Sequence, residues 1–305
     1  IRDVLLSLVG SEMCIRDSIQ DVFPDAAITT GSITDPRVIR AARWLERWSY
    51  RVASAVTVLS DDLAANVSAK AGDRTAVHVI PNFVDTSAIT PADRMTLYRA
   101  ALGIGDAPVV LYAGNLGFSQ SLDLLVEAAR RMPDVHVVIN GDGVARDRVA
   151  AAADELPNLH VVGYQPASRL AEVLASGDVH AVVLKTGLGD VSVPSKTYSS
   201  LAAARPVVAA IDPDTAVPRL LAEAGAGISV EPDDPDSFVA ALRSLVDDPG
   251  RRATLGSNGR RWAVEHASPE AVGIAYESLL RAMAARDDRP ARCGSRRGPG
   301  RWGRR

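Results

Sequence analysis

Three glycine-bearing segments hold the residues of this chain best suited to bind an anion. The first reads Tyr112-Ala113-Gly114-Asn115-Leu116-Gly117-Phe118-Ser119-Gln120, the second Asn140-Gly141-Asp142-Gly143. The third runs from Lys185 through Gly187, Gly189 and Pro194 to Ser195-Lys196. Glycines let backbone N–H groups approach an anion, and a following helix presents its positive end to it. The chain has 34 basic residues but only three lysines, and two of these, Lys185 and Lys196, fall in the third segment. A lysine at a helix start opposes the helix dipole, a mismatch that a bound phosphate resolves. Glycine-rich turns also make plain strand-to-helix connections, and either lysine could simply face water.

Other groupings carry less. Asp212-Pro213-Asp214 and Asp234-Pro235-Asp236 imitate a metal-binding carboxylate pair, yet both precede helical patterns, where Asp caps. His78, His136, His160 and His180 lie on or beside predicted strands and read as structural. Cys14 and Cys293 sit near opposite ends, which gives neither a disulfide framework nor a metal site. No spacing suits zinc, and no Ser–His–Asp grouping is legible. Gly141-Asp142-Gly143 with Arg146 lacks the third small residue of a dinucleotide fingerprint.

The elements that position these segments follow from hydrophobic periodicity. Apolar, β-branched runs at 109–113, 135–139, 159–162, 179–184, 206–211 and 227–230 suit parallel strands covered on both faces. Helical patterns separate them, at 122–129 with Ser119 as a candidate N-cap, then 144–155, 168–175, 195–204 and 215–224. Further helices are predicted near 235–246, 250–265 and 268–284. Upstream, 44–51 reads as helix, 52–59 as strand, 61–70 as helix and 77–80 as strand, and 81–91 as a hinge. The alternation predicts an α/β fold, a doubly wound parallel sheet beside the remnant of a second Rossmann-like domain. The expected units are the remnant at 19–81, the main domain at 82–266, and a helix at 267–284 returning toward the first unit.

Hydrophobic residues make up 47% of the 305, enough for a sizeable core. No apolar run approaches the roughly 18–20 residues of a membrane-spanning helix. Net charge is −3, but 281–305 contributes nine Arg against two Asp, leaving −10 on the rest. So acidic a body argues against nucleic acid as a partner. The Arg/Gly/Pro-rich segment 285–305 is expected to be disordered. Residues 1–18 lack an initiator Met, repeat Ile-Arg-Asp at Ile1 and Ile15, and resemble translated sequencing-adapter read-through. They are set aside as artefact, and the chain is expected to be truncated at its N-terminus.

In order, these segments resemble a family-4 glycosyltransferase of the GT-B fold, from about Gln20 to Leu280. Asp21-Val22-Phe23-Pro24-Asp25 is similar to the family's Asp-x-x-Pro-Asp/Glu segment, and Val56-Thr57-Val58-Leu59-Ser60 to its valine-rich strand with Ser. Val79-Ile80-Pro81-Asn82-Phe83-Val84-Asp85 resembles the hinge, and 112–120 with Leu122-Asp123 the donor-phosphate loop. Val193-Pro194-Ser195-Lys196-Thr197-Tyr198, continuing through Leu201 to Arg205-Pro206-Val207-Val208, matches the branch that makes colanic-acid, capsule and O-antigen sugars. The resemblance implies transfer of a sugar from a nucleotide-diphosphate donor to a glycan or lipid-linked acceptor. Retention at the anomeric carbon, no metal or other cofactor, and a cytoplasmic place at the inner face of the membrane with peripheral association are implied with it. Lys196 would be catalytic. Gly114, Asn115, Leu116, Gly117, Gln120 and Ser195 would join it at the phosphates, and Gly141, Tyr164, Gln165 and Ser199 would hold the nucleoside.

The chain departs from the family pattern in places. Val191 and Ser199 stand where many members carry two glutamates eight residues apart, and Asn115 and Gln120 replace the first loop's Arg and Lys. Rival readings are a non-hydrolysing nucleotide-sugar epimerase, which needs acidic and His groups in its cleft, an inactive donor-binding fragment, and a nicotinamide oxidoreductase, whose fingerprint is incomplete here.

Overall fold

The computed structural model describes residues 16–19, 21–72 and 75–287. Both cysteines, residues 1–15 and the basic segment from 288 onward lie outside them. A small sheet of β1 (Arg16–Ile19), β2 (Ala55–Val58) and β3 (Ala76–Val79) is parallel throughout, in that order. Arg16, Asp17 and Ser18 pair with Ala55, Val56 and Thr57. The boundary expected at Ser18 therefore moves back to Arg16, because backbone pairing needs no side-chain pattern to extend a strand edge.

Three helices accompany this sheet, α1 (Asp25–Thr29), α2 (Pro36–Val52) and α3 (Asp61–Ala71). Helix α2 starts well before the predicted 44–51. Asp35 caps it, accepting from the Arg37 N–H at 2.7 Å, and Pro36 occupies the first turn, where its missing donor costs nothing. Because α2 runs to Val52, the predicted strand 52–59 shortens to β2. A connector with one short helix, α4 (Leu97–Ala101), leads to the larger sheet.

That sheet holds β4 (Val109–Ala113), β5 (His136–Asn140), β6 (Leu159–Val162), β7 (Val179–Val183), β8 (Val207–Ala210) and β9 (Gly227–Val230). Their order is β6-β5-β4-β7-β8-β9, all parallel. The chain winds outward from β4, returns to β7 beside it, and winds out the other way. A crevice for a ligand therefore opens beyond the carboxyl ends of β4 and β7. Between the strands lie α5 (Asp123–Arg131), α6 (Arg146–Ala153), α7 (Leu170–Ala175), α8 (Lys196–Ala202) and α9 (Ala216–Ala224), and then α10 (Pro235–Val246), α11 (Pro249–His266) and α12 (Pro269–Asp287). The cap expected at Ser119 is not used, since α5 begins at Asp123 with no side-chain cap.

The lower ends of β4 and β7 are pinned together. The Asp178 carboxylate, one residue before β7, accepts from the Val109 N–H at 2.9 Å and from Arg99 and Arg94 Nη1, each at 3.2 Å. Asp178 and Arg99 are both buried. Helix α11 clamps α8 through two glycines. A methyl at Gly256 would lie 2.2 Å from the Ala204 carbonyl oxygen, and one at Gly259 2.7 Å from Leu201 Cδ2. Arg260 ties the same region to the connector by donating to the carbonyls of Thr86, Ile89 and Ala202.

The two sheets are stitched where they meet. The Val22 N–H donates to the Val191 carbonyl at 2.9 Å and the Val84 N–H to that of Ala267 at 2.8 Å. One apolar cluster spans both, with Val22, Val56 and Leu63 on one side and Leu111, Leu184 and Val193 on the other. Val272 and Leu279 of α12 pack on Ile80, just beyond β3.

Asp178→Ala leaves the Arg99 guanidinium buried without its carboxylate. The expected cost is about 3–5 kcal/mol of folding free energy, read as a lowered midpoint in urea unfolding.

Candidate functional site

A cleft of about 410 Å³ opens at the carboxyl ends of β4 and β7. Its floor is apolar, with Leu111, Val173, Leu174 and Leu184, and its rim is polar. Of the residues expected at the site, Gly114, Asn115, Gln120, Tyr164, Gln165, Ser195, Lys196 and Ser199 line it. The structure also brings in Asn140, Asp21, Asn82 and Ser192.

Lys196 opens α8 from the cleft wall. Its ammonium donates to the Tyr112 hydroxyl and lies 4.0 Å from that ring's centroid. Tyr112 in turn donates to the Asn115 carbonyl at 2.7 Å, so one chain of contacts joins α8 to the first loop. Among the described residues no carboxylate pairs with Lys196, and burial pulls its pKa down to about 7. Burial pushes the Tyr112 phenol upward, so it keeps its proton.

The first loop is built differently from the sequence expectation that the N–H groups of 114–117 face a phosphate. The Gly114 N–H donates to the Asn140 carbonyl at 2.9 Å, and that of Leu116 to the Asp142 carbonyl at 2.8 Å. The Gly117 N–H donates to Gln120 Oε1 at 2.9 Å. Of the four, only the Asn115 N–H has no partner among the described residues. Leu116 is fully buried and anchors the loop in the core, so its expected phosphate contact is corrected. Gly141 is corrected too, for it does not line the cleft. A Cβ there would lie 1.9 Å from the Gly114 carbonyl oxygen, so this glycine allows two loops to cross backbone on backbone. Gly114 itself has φ +148°, and a Cβ would press on Lys196 Cε at 3.1 Å.

The third loop is held from behind. The Asp212 carboxylate accepts from the N–H groups of Gly187 at 2.9 Å, Leu188 at 3.1 Å and Gly189 at 2.9 Å. Its expected role as a helix cap is corrected, since Thr215 is the N-cap of α9. Asp234 does cap α10, accepting from the N–H groups of Asp236 and Ser237. Val191 is buried in the core, whereas Ser199, eight residues on, lines the cleft. Ser192 Oγ donates to Asp21 at 2.5 Å, which closes one side of the cleft with the small sheet's loop.

On the nucleoside side, Tyr164 is 59% exposed after β6. Gln165 donates to the Gly163 carbonyl and accepts from Arg169. Asn140 Oδ1 accepts from the Tyr98 hydroxyl at 2.8 Å. Tyr112 and Asn140 open the first two glycine-bearing segments but receive no individual role from the sequence, because both sit on strands. Their signal is a polar group at or near the end of an apolar run, one or two residues before a glycine. His180 lies beneath the cleft, bonded to Ser200 Oγ and the Leu174 carbonyl, and burial lowers it to about 3, so it stays neutral. The lining therefore holds one carboxylate, Asp21, and no histidine among the described residues, which deprives the epimerase reading of its acid–base groups.

The sequence matches the family of glycosyl transferases group 1 over residues 95–262 and the glycosyl transferase 4-like domain over 18–82. It is 31% identical over 239 residues to a GDP-mannose-dependent phosphatidylinositol monomannoside mannosyltransferase of Mycolicibacterium smegmatis, covering 75% of this chain and 62% of that one. It is 29% identical over 250 residues to the lipopolysaccharide core biosynthesis glycosyltransferase LpsE of Rhizobium meliloti, covering 80% and 69%. The chain spans about three fifths of the length of most of the curated relatives it matches. Among solved structures, HepE of Anabaena in complex with UDP and glucose superposes with a TM-score of 0.71 at 19% identity, over 88% of this chain and 71% of that one. Sucrose-phosphate synthase of Thermosynechococcus elongatus gives 0.75 at 18%, over 93% and 71%. The structural likenesses carry the fold, and the sequence match covers the whole doubly wound sheet around the cleft: the chain belongs to the glycosyl transferases group 1 family.

Proposed function

We propose that the cleft binds a nucleotide-diphosphate sugar and serves its transfer, with retention at the anomeric carbon, to a glycan or lipid-linked acceptor in surface polysaccharide synthesis. The observation that carries this reading is the Lys196 ammonium, half-buried at the switch point of the sheet with no carboxylate partner among the described residues. A desolvated cation with no internal counter-ion favours an anion from outside. As the bond between the anomeric carbon and the diphosphate breaks, negative charge grows on the departing oxygen, and preorganised donors lower that barrier. Lys196 and the Asn115 N–H supply them, and Gly117 can exchange its bond to Gln120 for one to phosphate. The acceptor hydroxyl forms the new bond, and its proton leaves with the diphosphate. Tyr164 and Gln165 flank the base, and Ser199 meets the ribose. The diphosphate charge is assigned here to protein donors, and no metal is invoked. Retention and the polysaccharide role rest on the resemblance of 193–208 to the colanic-acid and capsule branch.

Lys196→Met should weaken binding of a nucleoside diphosphate by about 1.5–3 kcal/mol, the scale of charge-assisted hydrogen bonds, or about one to two decades in Kd. Unchanged calorimetric affinity with an intact fold would overturn the assignment.

Binding should also take up protons. With the Lys196 pKa near 7 before binding and raised by the diphosphate, uptake should grow from about half a proton at pH 7 to nearly one at pH 8.5. Affinity should accordingly fall as pH rises above 7. Calorimetry in buffers of different ionisation heat reads this directly, and Lys196→Met should remove the dependence.

A further inference from the structure

A second cavity shares the Asp21–Ser192 bond with the cleft. It is a groove of about 470 Å³ between loops of the two sheets, and Asp21, Asn115 and Ser192 line both spaces. Its walls carry apolar side chains that the core does not use. Phe23 comes from the small sheet's loop, Phe118 from the first glycine-bearing loop, and Val144 directly follows the second. They are 58%, 59% and 67% exposed, and none belongs to an apolar cluster. Thr30, Ser32 and Ser119 add hydroxyl groups. Asp21 Oδ1 accepts from Ser192 Oγ, and Oδ2 has no partner among the described residues. No lysine, arginine or histidine among the described residues lines the groove, so Asp21 is its one charged group.

Exposed apolar groups gathered around one cavity mark a binding surface. Phenyl rings beside hydroxyl groups suit a ligand that has both an apolar face and hydroxyls of its own. The missing cation sets the ligand's charge. A phosphate or carboxylate would meet Asp21 without a counter-ion, and like charges placed together are rejected. A pyranose has the required chemistry, with ring C–H groups on its faces and hydroxyls around its edge. We infer that the groove holds the reacting end of the acceptor, and that this end is an uncharged sugar. The inference rests on the transferase reading of the cleft. The sugar stacks on Phe23 and Phe118 and donates one hydroxyl to Asp21 Oδ2. A neighbouring hydroxyl then points past Asn115 into the cleft, toward the donor bond that breaks. Asp21 acts as a binding group and takes no proton from the reaction. An acceptor whose reacting sugar itself carries a phosphate is disfavoured, so any lipid phosphate stands at least one sugar away.

The experiment is saturation-transfer NMR on the full chain with a nucleoside diphosphate present. The probes are methyl mannoside, methyl glucoside and methyl galactoside, the phosphorylated forms of the same sugars, and hexyl glucoside. Transfer is expected to the ring protons of at least one uncharged glycoside and to none of the phosphorylated sugars. Phe23→Ala should weaken that glycoside about tenfold while calorimetry reads an unchanged nucleoside-diphosphate affinity. Val144→Arg, at an exposed position, should raise the affinity for phosphorylated sugars about threefold. Both variants should keep the wild-type melting curve, because neither side chain belongs to the core. With nucleoside-diphosphate binding intact, three results would each overturn the inference. They are no transfer to any uncharged ring, equal transfer to phosphorylated sugars, and glycoside binding that Phe23→Ala leaves unchanged. Transfer confined to the alkyl chain of hexyl glucoside would assign the groove to a lipid tail and overturn it too. A wild-type chain that binds no nucleoside diphosphate would instead overturn the transferase reading, and this inference with it.

Discussion

The cleft depends on a carboxylate at the opposite end of the sheet. Asp178 fixes the starting ends of β4 and β7 side by side by taking the first N–H of one strand while standing directly before the other. Two strands held together at their bases, with chains leaving in opposite directions at their tips, must open a crevice above. Burying this carboxylate is tolerable because three donors satisfy it and two of them are cationic. The same cluster fastens the connector that carries Arg94, Arg99 and Tyr98, and Tyr98 in turn holds the Asn140 amide in the cleft wall. One buried ion cluster thus sets both the width of the crevice and one of its polar groups.

At the top of the strands the logic reverses. Lys196 is half-buried with no carboxylate partner among the described residues, held by a phenol and the face of its ring. Helix α8 cannot withdraw the ammonium, because α11 presses against it through Gly256 and Gly259 and leaves no room for a side chain between them. The cation is therefore kept where no anion offsets its partial desolvation. Structural charges in the same protein, such as Lys70 with Asp25 and Glu46, are paired.

Much of this was legible from residue order. The run 109–113 coincides with β4 and the pattern at 235–246 with α10, since β-branched runs and 3.6-residue stripes report burial directly. The start of α2 was not, because Arg-rich exposed positions carry no core pattern and the only markers were Asp35 and Pro36. Glycine spacing announces close approach but not what approaches. Gly141 faces the backbone at Gly114, and the N–H groups of 187–189 face Asp212. Leu116 is apolar inside a polar loop, and its burial was the available sign that it points inward.

The charge balance constrains how this site can work. The body up to residue 280 carries −10, so its summed field opposes the approach of any anion, the proposed nucleoside diphosphate included. Attraction must then come at short range, where low dielectric strengthens a single contact. That accounts for a desolvated ammonium in the cleft wall in place of an exposed basic rim. Val191 continues the same economy of charge, since this position lies in the core and presents no carboxylate to the cleft. Among the polar groups of the cleft, Asp21, Ser192 and Asn82 lie where the small sheet's loops meet the large one. On the proposed reading, discrimination among sugars is set at the junction of the two sheets, and any shift of one against the other changes it.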